Sequence, residues 1–471
     1  MFQTLKNAWK TQELKTKLLF TLLIVILYRL GSAIPVPWVN SDIVAGNLTS
    51  SFNYAVQLIA GDAFGQATLF ALSVSPYITS SIIMQLLTIA IPALERMAKD
   101  GEAGKKKIAV ITRIVTMVLA LITATGYAGL IVNNGMTNLT LAATGSIWKR
   151  IFTGGSGFQF IVMIACYCAG AALVMWLAER INEFGIGNGI SIILFANIVA
   201  RLPQTFLNLY YMITGAEGVG NIIVSVVWAL LIVVLILAIV WLIVWFTDSE
   251  RRIPVQYAKR VVGRKMYGGQ SSSLPLKLNM AGVMPVIFAN SIVSIPGTLA
   301  TIFPNAAWIV NLANNYFNYT KPLYVLLSVI LLFAFAYFYI LISFNPVEVA
   351  NNIRNNGGAI PGIRPGKPTR DYIQKILNRI TLIGAVFLCV VSEVPKIIVS
   401  IFETIREFSV IQGGTSKVLN AIVTFYTNGQ ASFLTVAFAG TSILIVVGVI
   451  LETVRELEAQ LTMRNYKGFL D

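Results

Sequence analysis

Covalent chemistry needs a nucleophile, a base and a way to pair them, and this sequence withholds the usual sets. It contains no histidine, which removes Ser–His and His–Asp pairs along with the commonest proton shuttle and metal ligand. Cys166, Cys168 and Cys389 lie in apolar stretches. They have neither zinc-site spacing nor a disulfide pattern and read as small packing residues. Gly185-Ile-Gly-Asn-Gly-Ile190 has a superficial likeness to a dinucleotide fingerprint, but the spacing is wrong and no strand precedes it. Gly362-Ile-Arg-Pro-Gly-Lys-Pro-Thr369 approaches a phosphate loop, yet its glycine spacing is one short and Pro368 stands where Ser or Thr is required. The sequence therefore points to no cofactor, metal or nucleotide site. What remains is cationic. The loop Asp248–Lys277 carries Arg251, Arg252, Lys259, Arg260, Arg264, Lys265 and Lys277, and the loop Pro346–Lys375 carries Arg354, Arg364, Lys367, Arg370 and Lys375. Exposed guanidinium and ammonium groups at this density suit docking.

The elements that position these loops are apolar. Of 471 residues, 56% are hydrophobic and 12% charged, where a soluble domain carries about 25% charged residues. This is the composition of an integral membrane protein. About 20 apolar residues cross the hydrocarbon core, and ten segments qualify: 18–34, 74–94, 108–132, 157–178, 188–203, 221–246, 280–303, 322–345, 376–394 and 433–453. The first follows Lys6, Lys10, Lys15 and Lys17 and leads into Ile34-Pro-Val-Pro-Trp38 without a small-x-small cleavage site. It reads as a retained span. With the N-terminus inside, 26 of the 35 lysines and arginines fall on the cytoplasmic side and 7 outside, Arg29 and Arg113 lying within spans. This asymmetry sets both termini in the cytoplasm. Five spans precede residue 205 and five follow, so a repeat relating residues 1–205 to 206–471 must be inverted. Loops of about 30 residues exceed the usual connection length, so topology control explains only part of their charge.

Within the oil, polar side chains are few. Gly61–Ala71 is too short and polar to span and too apolar for a plain loop; it is either a re-entrant half-helix enclosed by protein or a short interfacial helix. Glu179, Glu393 and Glu452 sit at span ends, Arg113 lies near enough to the cytoplasmic face to snorkel, and Arg29 needs a partner such as a backbone carbonyl. Uncharged polar residues cluster in the second span (Ser75, Thr79, Ser80, Ser81, Gln85, Thr88) and the seventh (Asn290, Ser291, Ser294). They serve either ordinary helix packing or a helix pair that must separate.

Pro76-Tyr-Ile-Thr-Ser-Ser-Ile-Ile-Met-Gln-Leu-Leu87, Gly185–Ile192, Arg251-Arg-Ile-Pro-Val-Gln-Tyr-Ala-Lys-Arg260, Leu274–Val283, Pro361-Gly-Ile-Arg-Pro-Gly366 and Ala439–Ile445 together resemble the bacterial SecY family, the central subunits of Sec protein-conducting channels. A second Gly-Gly-Thr-Ser at Gly413–Ser416 copies part of the last motif without an apolar span directly after it. The resemblance implies an all-α membrane protein of ten helices, in two inverted halves around an hourglass pore. It implies a plug near 61–72 (Gly61, Asp62, Phe64, Gly65, Leu69) and a pore ring of Val74, Ile78, Ile190, Leu194, Ile287 and Ile445. It also implies a lateral gate between the second and seventh spans, with Thr79, Gln85 and Asn290 as gate residues. Arg251, Arg252, Lys259, Arg260, Arg264, Lys265, Arg364 and Lys367 would dock a SecA ATPase or the ribosome. The remaining implied partners are SecE and SecG-like membrane subunits, signal peptides, nascent chains and the lipids of a bacterial plasma membrane. The rival from another class is a secondary transporter of a small solute, which normally needs acids or histidine near the bilayer midplane. An intramembrane enzyme has no histidine to support it.

Overall fold

A computed structural model describes residues 8–40, 62–133, 156–201, 219–257, 260–262, 265–267, 271–302, 306–317, 321–411 and 440–462, with single positions between them. Its helices are α1 (Gln12–Ala33), α2 (Asp62–Gly65), α3 (Ser75–Ala90), α4 (Pro92–Lys99), α5 (Gly101–Asn133), α6 (Gly157–Phe184), α7 (Gly189–Val199), α8 (Val219–Asp248), α9 (Met284–Val293), α10 (Ile295–Ile302), α11 (Ala307–Tyr316), α12 (Pro322–Ser343), α13 (Pro346–Asn355) and α14 (Lys367–Ile411), followed by α15 (440–462). Among the described residues, α1, α5, α6, α8, α12 and α14 are apolar and long enough to cross a membrane. The pair α3 and α4 forms a further candidate bent by 100° at Ile91. The chain is a multi-pass membrane protein.

Proline sits in the first turn of α3, α9, α12 and α13, where its missing N–H goes unneeded and its fixed φ favours the helix. The seventh apolar segment is broken between α9 and α10 at Ser294. The ninth exceeds its sequence boundaries of 376–394, because α14 runs unbroken from Lys367 to Ile411 through Pro395. Residues 433–439 of the tenth segment, Gly413–Ser416 and most of the stretch 400–432 lie outside the described residues. The Gly-Ile-Gly-Asn-Gly motif starts α7. Gly187 takes φ +83°, and Asn188 Oδ1 accepts from the N–H groups of Ile190 at 3.0 Å and Ser191 at 3.5 Å, an N-cap.

The basic loops are not all irregular, which the all-helical expectation missed. β1 (Glu250–Tyr257) pairs antiparallel with β4 (Ser271–Lys277) on one side and β5 (Gly358–Ala359) on the other. β2 (Arg260–Val262) and β3 (Lys265–Tyr267) form a separate ribbon. Alternation along β1 turns Ile253 and Val255 inward. Beneath it they meet Leu276, Ile353, Ile360, Ile373, Ile376, Leu377 and Ile380. Strand, second loop and the start of α14 thus share one small core.

Candidate functional site

The six aliphatic residues of the expected ring come from α3, α7, α9, α15 and the turn before α3, and all belong to a single apolar cluster at the centre of the helices. Val74, Ile78, Leu194 and Ile287 are buried, while Ile190 and Ile445 are half-buried against them. Such side chains offer no hydrogen bond to a passing chain and disfavour water and ions when closed on one another.

Directly beside this cluster lies the segment that begins at Asp62. Only Asp62–Gly65 is helical; residues 66–74 follow as turns, in place of the expected half-helix, because Ala67 and Ser73 adopt φ of +50° and +49°. The segment is enclosed by protein. Phe64, Ala67, Ala71 and Leu72 pack against Ala120, Ala124, Tyr127 and Ile131 of α5 and Phe160, Met163 and Tyr167 of α6. The buried Tyr127 hydroxyl donates to the Phe64 carbonyl, and the buried Tyr167 hydroxyl donates to the Ala67 carbonyl at 3.3 Å. Leu69 N–H donates to Ile34 O at 2.9 Å. A Cβ at Gly170 would stand 2.0 Å from the Leu69 carbonyl oxygen, so only glycine lets α6 approach so closely. Of the expected plug residues, Gly61 lies outside the described residues, Phe64 and Gly65 are buried, Leu69 is half-buried, and Asp62 starts α2.

The helices expected to form a gate, α3 and α9, pack against each other. Their hydroxyls do not cross that seam. Thr79 Oγ1 donates to Ser75 O at 3.0 Å, Thr88 to Met84 O at 2.7 Å, and Ser291 to Ile287 O at 2.8 Å, all within one helix. Gln85 Nε2 reaches Ser81 Oγ at 3.4 Å on its own helix, and Ser80 Oγ donates to Thr112 O of α5 at 2.8 Å. Among the described residues no side-chain hydrogen bond joins α3 to α9.

Two polar features escaped the sequence reading, the cluster around Tyr28 and the burial of Glu393 with Lys396. The Tyr28 hydroxyl donates to Asn197 Oδ1 at 2.8 Å and lies 3.1 Å from Ser73 Oγ, and Asn197 Nδ2 donates to Ser73 Oγ at 3.0 Å. This buried triangle ties α1 and α7 to the turn that starts α3. Arg29 donates to the Ala196 carbonyl, the kind of partner its depth demands. Arg113 pairs with Glu179 at 2.8 Å. Glu393 is no helix-end residue: α14 continues past it, and it is buried beside Lys396 at 2.9 Å. A Glu and a Lys three apart in a helix was the available signal.

At the sheet-bearing end, Arg251, Arg252, Arg364 and Lys367 are exposed. Arg252 stands 3.9 Å from Glu250. Arg260 and Lys265 lie on the β2–β3 ribbon, while Lys259 and Arg264 fall outside the described residues. The two loops, about a hundred residues apart in sequence, meet through the β1–β5 pairing. The tip Pro361–Gly366 is a built turn. Gly362 and Gly366 take φ of +80° and +105°, and buried Thr369 Oγ1 donates to the Arg364 carbonyl at 2.9 Å. Burial and neighbouring Arg455 hold the Lys277 ammonium below its ordinary pKa.

A family model described as SecY matches residues 68–454. The chain belongs to the SecY family. It is 39% identical over 478 residues to the protein translocase subunit SecY of Streptomyces galbus, and 38% identical over 491 residues to that of Mycobacterium bovis, with both chains of each pair covered in full. Among solved structures, its fold is similar to that described as "The structure of a protein conducting channel", with TM-score 0.60, 15% identity, and 94% of this chain and 92% of that one covered. It is also similar to Sec61 in the canine ribosome–channel complex, with TM-score 0.57, 14% identity and coverage of 94% and 92%. As a SecY-family member it is a protein-conducting channel subunit and not an enzyme, which sets aside the small-solute transporter.

Proposed function

We propose that this chain passes unfolded, signal-bearing polypeptides across a bacterial plasma membrane and releases apolar segments sideways into the lipid. The observation that carries this reading is the convergence of Val74, Ile78, Ile190, Leu194, Ile287 and Ile445 in one apolar cluster, with the segment from Asp62 to Leu72 seated beside it. In this reading the cluster is the constriction and the segment is its plug. The architecture is ten spans in two inverted halves, 1–205 and 206–471, with both termini cytoplasmic. An apolar signal helix parts α3 from α9 past Thr79, Gln85 and Asn290, and burial of about 20 apolar residues in lipid draws it onward.

The driving force enters from outside the chain. The exposed arginines and lysines of both loops, on the platform built by β1, β4 and β5, dock a SecA-type ATPase or a ribosome, whose RNA phosphates suit them. The ribosome-bound canine channel supports that choice of partner. SecE and SecG-like subunits complete the complex. The test is reconstitution with those subunits and a motor: ATP-dependent movement of a signal-bearing preprotein into proteoliposomes is expected, and its absence alongside a folded complex overturns the reading.

A further inference from the structure

Glu393 and Lys396 are the least expected side chains in this apolar interior. They lie one helical turn apart on α14, with side chains 3% and 1% exposed. Lys396 Nζ donates to Glu393 Oε1 at 2.9 Å, and Ser392 Oγ donates to the same oxygen at 3.0 Å. Glu393 Oε2 is buried without a hydrogen-bond partner among the described residues. Lys396 also sits 5.7 Å from the centre of the Tyr324 ring on α12 and reaches Asn290 Oδ1 on α9 at 3.5 Å. Stability does not explain such a pair, since apolar residues of similar volume commonly serve a fold as well or better. An unsatisfied carboxylate oxygen deepens the discrepancy.

The contact with Asn290 supplies a reason. An ammonium can only donate hydrogen bonds, so Lys396 dictates which end of the Asn290 amide faces it. The carbonyl turns toward α14, and the two N–H donors are left on the other side of the group. Resting on the reading of α3 and α9 as the gate, we propose that Lys396, anchored by Glu393, is a positioning residue. It holds Asn290 so that the amide presents N–H donors to the α3–α9 seam, and this fixes how apolar a segment must be to part the helices. An entering segment must strip those donors of their solvation, and only a sufficiently apolar one offsets that loss. Without the ammonium the amide is free to rotate and bond its own helix, and weaker segments pass.

The experiment uses the reconstituted complex and two preproteins that differ only in signal hydrophobicity, one Leu-rich and one with Leu replaced by Ala. The readout is the ratio of their transport rates. Because K396M alone would strand a buried carboxylate, the neutral pair K396M/E393Q is the main variant. It should raise the weak-to-strong ratio about three- to tenfold at unchanged thermal stability, N290L should do the same, and K396M/E393Q added to N290L should change nothing further. A purely structural pair would lower stability without moving the ratio. An unchanged ratio, or an effect that adds fully to N290L, overturns the proposal. Crosslinking a stalled signal segment from position 85 in the otherwise unaltered channel separates the two readings. If no adduct forms, the gate assignment falls and this inference with it. An adduct with an unchanged ratio sinks only the role of Lys396.

Discussion

At the centre of the molecule, the six aliphatic side chains of the expected ring, from four helices and the turn before α3, lie in one apolar cluster. At the sheet-bearing end Arg251, Arg252, Arg364 and Lys367 stand in solvent, and Arg364 forms no ion pair with any described residue. The centre depends on collective volume, so one aliphatic residue can replace another at small loss. The rim depends on single groups at fixed places, since neither the charge nor the aim of Arg364 is duplicated by packing. Tolerance to substitution should therefore run opposite to burial here, the reverse of the pattern in an ordinary soluble domain.

The sharpest way to break that contrast is Arg364→Glu. It should cut preprotein transport at least tenfold while membrane insertion and thermal stability stay unchanged, as read by proteoliposome transport and a melting curve. Normal transport would remove Arg364 from the docking surface. Next in size is deletion of Asp62–Leu72, expected to raise resting ion conductance severalfold in planar bilayers. Conductance equal to the parent's would show that the segment does not seal the pore. Tyr127→Phe and Tyr167→Phe test how the segment is held. Each removes one hydrogen bond to its carbonyls, a loss of about 0.5–1.5 kcal/mol, and should give a leak between those of the parent and the deletion. The smallest effect is expected at the ring. Ile78→Val should lower stability by about 0.5–1.5 kcal/mol and leave transport within about twofold, and a larger transport defect than that of Arg364→Glu would invert the comparison.

Periodicity and hydropathy made the long apolar helices legible, and the depth of Arg29 foretold a carbonyl partner. Three features were hidden for physical reasons. The β1–β5 pairing joins residues about a hundred positions apart, and a two-residue strand such as Gly358–Ala359 has no pattern of its own. The turns after Gly65 rest on positive φ at Ala67 and Ser73, residue types that rarely signal it. Glu393 read as a span end because hydropathy falls there, whereas tertiary packing rather than composition decides its burial beside Lys396. Within the proposed site, the expectation of a ring and a gate rested on motif order alone. No single aliphatic or hydroxyl residue announces itself, and the hydroxyls of α3 and α9 serve their own helices instead of the seam.

The unbroken course of α14 couples these two regions mechanically. It starts at Lys367, immediately after the Arg364 turn, contributes Ile373 and Ile376 to the platform's underside, and carries Lys396 on the same rod. At 1.5 Å per residue, Lys396 lies about 44 Å from the first residue of α14, so a tilt of about 5° pivoting at the platform swings it by about 4 Å. That displacement exceeds the reach of its hydrogen bond to Asn290. If a partner docks on Arg364 as proposed, a lever of this length carries a small rocking at the platform to the contact between Lys396 and Asn290.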